Sequence, residues 1–165
     1  MNNCKSFKAY VDKNSLVLIL GSMPGVKSLE EQEYYAHPQN RFWKVMGGIC
    51  QEKNLKDFSY EEKLKTLLKN HIALWDTIGT CKREGSLDSD IENETPNDIR
   101  KLLKTYPKIS AIFLNGNKSY SSFKKYFPDL LEKYNCFKMP STSPANARYS
   151  IENLKKEWGV IEKFI

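Results

Sequence analysis

Apolar residues gather in short unbroken runs at Leu16–Leu20, Ile72–Trp75 and Ile109–Leu114, with a weaker run at Cys136–Met139. None of these runs alternates strictly with polar positions, as expected of strands in a parallel sheet covered by helices on both faces. Amphipathic stretches lie between them, at Phe42–Cys50, Tyr60–Lys69, Asn97–Thr105 and Lys118–Tyr126, and a last one covers Ile151–Phe164. The alternation predicts an α/β fold, a three-layer α/β/α sandwich around a central, mainly parallel four-stranded sheet. Thr95-Pro96 reads as a helix start, with threonine as N-cap, proline in the first turn and Asp98 near the positive helix end. The polar stretch Lys82–Asn93 contains a glycine and reads as a surface loop.

No internal repeat or low-complexity linker interrupts the pattern, so residues 1–165 are read as one domain, long enough to need no disulfide or metal staple. The four cysteines, Cys4, Cys50, Cys81 and Cys136, form no C-x-x-C pair and are expected to be reduced. No metal and no cofactor is expected. The first fifteen residues hold no signal-like apolar run and no later segment is long enough to span a bilayer, which points to a cytoplasmic protein without a membrane partner. A net charge of +6 suits a partner bearing phosphates. Lysines such as Lys63, Lys65, Lys69, Lys101, Lys104, Lys124 and Lys125 are nevertheless spread along the chain, a pattern that also describes solvated helix faces.

Ligands in open α/β sheets collect beyond the carboxyl ends of the strands, which directs attention to Gly21, Asp76, Asn115 and Pro140 onward. The loop Gly21-Ser22-Met23-Pro24-Gly25-Val26-Lys27-Ser28 comes close to the phosphate-binding pattern G-x-x-x-x-G-K-[ST], and the second strand ends in an aspartate, as a magnesium-holding strand would. A P-loop NTPase is therefore one reading, and a noncatalytic nucleic-acid-binding domain another. Val26 stands where the pattern requires glycine, and Pro24 removes an amide donor. The next segment, Glu33 to Trp43, packs two tyrosines, a histidine, a glutamine, an asparagine and an arginine ahead of a helix. Such a density of stacking and hydrogen-bonding groups suits a pocket for an extruded base.

The series GSMPG, YYAHPQNRFW, a strand ending LWD, and STSPANAR resembles the uracil-DNA glycosylase superfamily, most closely its hypoxanthine-DNA glycosylase family, from Gly21 to Arg148. The resemblance implies a parallel sheet between helices and a monofunctional enzyme without metal or cofactor. It would act on DNA containing a deaminated base, hypoxanthine first; separately, the chain is expected to be a monomer. A mismatch-specific uracil/thymine glycosylase is the alternative within the superfamily.

The resemblance also distributes roles. Met23 occupies the place of the asparagine in the first motif of mismatch-specific relatives, so the water-positioning residue falls on Asn40, which would otherwise cap the following helix. Gly21, Ser22 and Met23 border the base, and Tyr35 stacks on it or is a core tyrosine. Asp76 ends Ala73-Leu74-Trp75-Asp76, where uracil-excising relatives carry a base-reading asparagine. As a carboxylate it would accept N1–H of hypoxanthine while Trp75 or a backbone amide serves O6; the other reading is a cap or an ion pair with lysine. The loop Ser141, Ser143, Pro144, Ala145, Asn146 and Arg148 meets DNA, with Ser143 on a phosphate, or is a polar turn. Ser141 replaces the usual histidine and Ala145 the usual wedge.

Overall fold

The structure, a computed structural model, describes residues 2–165. The chain forms β1 (Asn2–Lys5), β2 (Val17–Gly21), α1 (Val26–Glu31), α2 (Phe42–Ile49), α3 (Tyr60–Lys69), β3 (Ile72–Asp76), β4 (Ile78–Arg83) and β5 (Glu92–Pro96). It continues through α4 (Ile99–Thr105), β6 (Ala111–Asn115), α5 (Asn117–Tyr126), α6 (Pro128–Lys133), β7 (Asn135–Met139) and α7 (Ile151–Trp158). The parallel sheet has the order β3-β2-β6-β7. Val17 and Ile19 enter one core with Phe42, Met46, Leu67, Leu154 and Trp158, whereas Leu18 and Leu20 enter the other with Ile99, Leu103, Phe123 and Leu130. Consecutive residues thus serve opposite faces, which is why the strands read as continuous apolar runs. The expected sandwich is observed.

Register brings the strand ends together. Gly21 lies opposite Asp76, and Asn115 opposite Met139. Everything that follows these positions leaves from one edge of the sheet, with β2 at the point where the chain winds outward in both directions.

A second, antiparallel sheet, β1-β4-β5, stands beside the first and departs from the sequence expectation. Lys82-Arg83 finishes β4 and Glu92–Pro96 forms β5, so only the middle of Lys82–Asn93 is loop. Register shifts between Ile78 and Thr80, and between Thr80 and Lys82, break the period-two pattern that would have shown the pairing. The helix start at Thr95-Pro96 is likewise corrected: both residues belong to β5, an edge strand where proline needs no partner for its nitrogen. Asp98 is the N-cap of α4, its side chain accepting from Lys101 N at 3.1 Å. The last amphipathic stretch is α7 followed by a tighter 3₁₀ turn over Gly159–Lys163.

Candidate active site

The loop after β2 is held against the start of β4 by backbone bonds, Thr77 N to Gly21 O at 2.8 Å and Ile78 N to Ser22 O at 3.0 Å. A Cβ on Gly21 would lie 2.6 Å from Asp76 Oδ1 and 3.2 Å from Tyr35 Oη. The absent side chain lets β3 and the segment before α2 converge here. Tyr35 itself takes a left-handed backbone, φ 55°, with the next amide fixed by Ser28 Oγ at 3.0 Å. Its ring stacks on Phe42 at 3.8 Å and its hydroxyl accepts from Asn115 Nδ2 at 3.3 Å.

Asn115, at the end of β6, also binds the loop after β7. Its Nδ2 donates to Thr142 Oγ1 and its Oδ1 accepts from Thr142 N, both at 3.1 Å. The same loop wraps Arg41. Arg41 N donates to Thr142 O, Nη2 to the carbonyls of Ser143 and Asn146 at 2.9 Å each, and Nη1 to Tyr149 O. Within the loop Ser141 Oγ accepts from Ser143 N, Ser143 Oγ from Ala145 N, and Asn146 Nδ2 donates to Ser141 O. Pro144, Ala145 and Arg148 are exposed on its crest, and Ser143 is half-buried. The loop is therefore an internally bonded polar turn that leaves the side chains of Pro144, Ala145 and Arg148 open to solvent.

Asp76 is 4% exposed, and its Oδ2 is enclosed without a hydrogen-bond partner. The alternative of an ion pair with lysine finds no support among the described residues, where no ion pair includes Asp76. Loss of hydration pushes its pKa up to about 7, and the nearby Asp88 carboxylate adds to the rise while Arg83 opposes it. Asp88 is raised too, by burial, against the lowering effects of its bond from Ser22 Oγ at 2.6 Å and of Arg83. Arg83 is 1% exposed, donates through Nη2 to Pro24 O, and keeps Nε and Nη1 unpartnered. Asp88 and Arg83 lay in or beside the supposed surface loop, and no motif or periodicity marked them.

Asn40 N donates to His37 O, and Asn40 Oδ1 accepts from Phe42 N, each at 2.9 Å. The side chain so closes the turn into α2, although Arg41 is the N-cap residue. One lone pair of Oδ1 and the Nδ2 group are left for other partners. Asn40 and Tyr35 also line a cavity of about 140 Å³ with His37, Trp43 and Tyr60.

Two residues expected at the base have their side chains engaged elsewhere. Met23 packs its side chain into a small apolar cluster with Cys4, Ile78, Cys81 and Ile91. Trp75 projects to the face of the sheet opposite Asp76, by strand alternation, and its Nε1 donates to Phe7 O at 2.8 Å. The P-loop reading loses its lysine: Lys27 is solvent-facing on α1 and pairs with Glu31 at 2.9 Å. No group of three or more His, Cys, Asp or Glu among the described residues could hold a metal ion, and no helix there is long and apolar enough to cross a membrane.

A parallel sheet whose strand ends gather a close-packed glycine loop, a stacked tyrosine, a buried carboxyl and a serine-rich loop matches one family model. That model, described as the Uracil DNA glycosylase superfamily, covers residues 7–164, and the chain belongs to this superfamily. Within it, the chain is 42% identical to a protein of Methanosarcina acetivorans named hypoxanthine DNA glycosylase, over 95% of this chain and 96% of the relative. A protein of the same name from Methanosarcina barkeri is 36% identical over 93% and 94%. The solution NMR structure of a Methanosarcina acetivorans protein, described as a candidate uracil DNA glycosylase, superposes with a TM-score of 0.84 at 40% identity, covering 98% of both chains.

Replacing Arg41 by methionine is expected to cost roughly 2–4 kcal/mol and to speed hydrogen exchange at the amides of residues 142–149. Lysine should not restore protection, because one ammonium cannot span these carbonyls. Unchanged exchange in Arg41→Met would show that the loop holds itself. The fold favours the protonated form of Asp76, so this contribution to stability is complete below the usual 3.8 and is lost as pH rises towards about 7. Asp76→Asn is therefore expected to stabilise the protein, by on the order of 2–4 kcal/mol above neutrality and progressively less towards acid. Urea melts at several pH values check this; a variant less stable than the parent at alkaline pH would contradict it.

Proposed function

We propose that this chain is a monofunctional DNA glycosylase that hydrolyses the N-glycosidic bond of a deaminated base, hypoxanthine, in DNA, acting as a single-domain cytoplasmic monomer. The observation that carries the proposal is the convergence of Gly21, Tyr35, Asp76 and Asn115 at one sheet edge. That convergence occurs within a superfamily whose members of Methanosarcina bear the hypoxanthine name. Phe42 occupies one face of Tyr35, so an extruded purine would stack on the other. Its polar edge would then meet Asp76.

Asn40 holds a water beneath the sugar. Its Oδ1 already accepts from Phe42 N, which fixes the amide plane, and a carbonyl oxygen has a second lone pair for the water's hydrogen. An amide of this kind orients without strongly deprotonating, sufficient where the sugar carries oxocarbenium character. Ser143, with Arg148 and Asn146 beside it, steadies the flanking phosphates, while the small Ala145 offers little to wedge into the vacated stack. Extrusion should therefore be easier from mispaired or single-stranded sites.

Oligonucleotides carrying hypoxanthine, uracil, xanthine or mismatched thymine test the reading directly. Hypoxanthine should be released fastest without metal or nucleotide, and Asn40→Ala should slow single-turnover release by roughly 10²-fold or more with DNA affinity retained. Wild-type rates in Asn40→Ala, accompanied only by a lower melting temperature, would reduce Asn40 to a turn residue. The product is expected to be an abasic site on an intact strand. A borohydride-trapped covalent adduct would instead demand a lysine nucleophile, with Lys27 the first candidate.

A further inference from the structure

Hydrolysis of the C1′–N9 bond of deoxyinosine pushes negative charge onto the departing hypoxanthine, and the superfamily's usual stabiliser, the histidine that opens the second motif, is Ser141 here. Ser141 Oγ is engaged with Ser143 N. The chain therefore needs another source of positive charge or of a proton at the base.

Asp76 is the group whose surroundings suit that need. Its Oδ2 is enclosed without a partner while its Oδ1 borders Gly21 beside the Tyr35 hydroxyl. From β4 the only charge acting on it is that of Arg83, outside ion-pair distance, whose Nη2 is held by Pro24 O. The loop after β4 contributes Asp88, anchored by Ser22 Oγ, whose carboxylate opposes ionisation of Asp76. The segment before α2 and α3 itself contribute Tyr34, Tyr35 and Tyr60, neutral phenols pushed above their usual range. Asn115 of β6 is uncharged. A carboxyl so enclosed keeps its proton rather than bury an unpaired charge.

We infer that Asp76 is the general acid of the reaction, donating its carboxyl proton to N7 of hypoxanthine as the C1′–N9 bond breaks. This rests on the glycosylase reading above. The electron pair of the C1′–N9 bond leaves with the base, the Asp76 proton is taken up at N7, and the purine departs as a neutral tautomer. Water adds its oxygen to C1′, and its surplus proton restores the Asp76 carboxyl. One water is consumed and nothing is oxidised or reduced. A carboxylate accepting N1–H, the simpler expectation for this residue, would require the ionised form that the site disfavours. Asp88 does not touch the base; it is a positioning residue that holds the Asp76 proton in place at neutral pH.

Single-turnover release of hypoxanthine from about pH 5 to about pH 9 separates the possibilities. The wild type should be level in acid and fall roughly tenfold per unit above neutrality. Asp76→Asn, which can hydrogen-bond but not protonate, should be slower by about 10²-fold in acid and lack the falling limb. Asp88→Asn should retain the limb and move it to lower pH, a shift that a merely structural role would not produce. A wild-type rate that rises with pH, or a falling limb that survives in Asp76→Asn, overturns the inference. If the wild type releases no hypoxanthine at any pH, the glycosylase assignment fails instead.

Discussion

The guanidinium of Arg41 organises the edge of the molecule at which the site lies. It donates to the carbonyls of Ser143, Asn146 and Tyr149, so a loop that would otherwise be a polar excursion is folded around a fixed cation. Charge-assisted bonds of this kind are stronger than neutral ones, and the planar fork sets the loop's shape as well as its distance. Arg41 stands one residue before α2, whose first residue, Phe42, is fully buried in the core and supports Tyr35. Asn40 closes the same turn. The start of one helix thus places the Tyr35 ring, the Asn40 amide and the loop after β7 relative to one another.

Buried polar atoms without partners occur on both sides of this edge, at Arg41 Nε and, around the end of β3 and in β4, at Asp76 and Arg83. Asp76 Oδ2 and Arg83 Nε and Nη1 are buried without hydrogen-bond partners. Buried polar groups are ordinarily satisfied, and unsatisfied ones reduce stability. Backbone bonds from Thr77 and Ile78 hold the Gly21-Ser22 loop, and Arg83 Nη2 is engaged by Pro24 O rather than by the Asp76 carboxyl. The arrangement favours the protonated form of Asp76, at a cost in stability of the kind that functional sites often carry.

Much of this was legible beforehand, for definable reasons. Strands buried on both faces announce themselves as unbroken apolar runs, and the four found at residues 17–21, 72–76, 111–115 and 135–139 match the runs read from the chain. Once their ends were located, Gly21, Asp76 and Asn115 followed. The antiparallel sheet was not legible, because register shifts in β4 scramble its alternation and β5 is an exposed, polar edge strand. Trp75 illustrates a different limit. Neighbours on a strand face opposite ways, so Trp75 and Asp76 lie on opposite faces of the sheet, and Trp75 N–H went to Phe7 O.

The amino-acid sequence alone determined the layer order and the strand ends, because hydrophobic periodicity is a local property that each segment carries with it. It also determined the residue types offered to the site, through motifs whose spacing survives in the linear chain. Which of those residues meet, and in what protonation state, was decided only by the tertiary structure. Asp88 and Arg83 reach Asp76 from a segment whose composition says only loop, and the acidity of Asp76 depends on the water and charges removed around it. Burial and through-space electrostatics are sums over residues distant in sequence, so no local reading of Trp75-Asp76 could have supplied them.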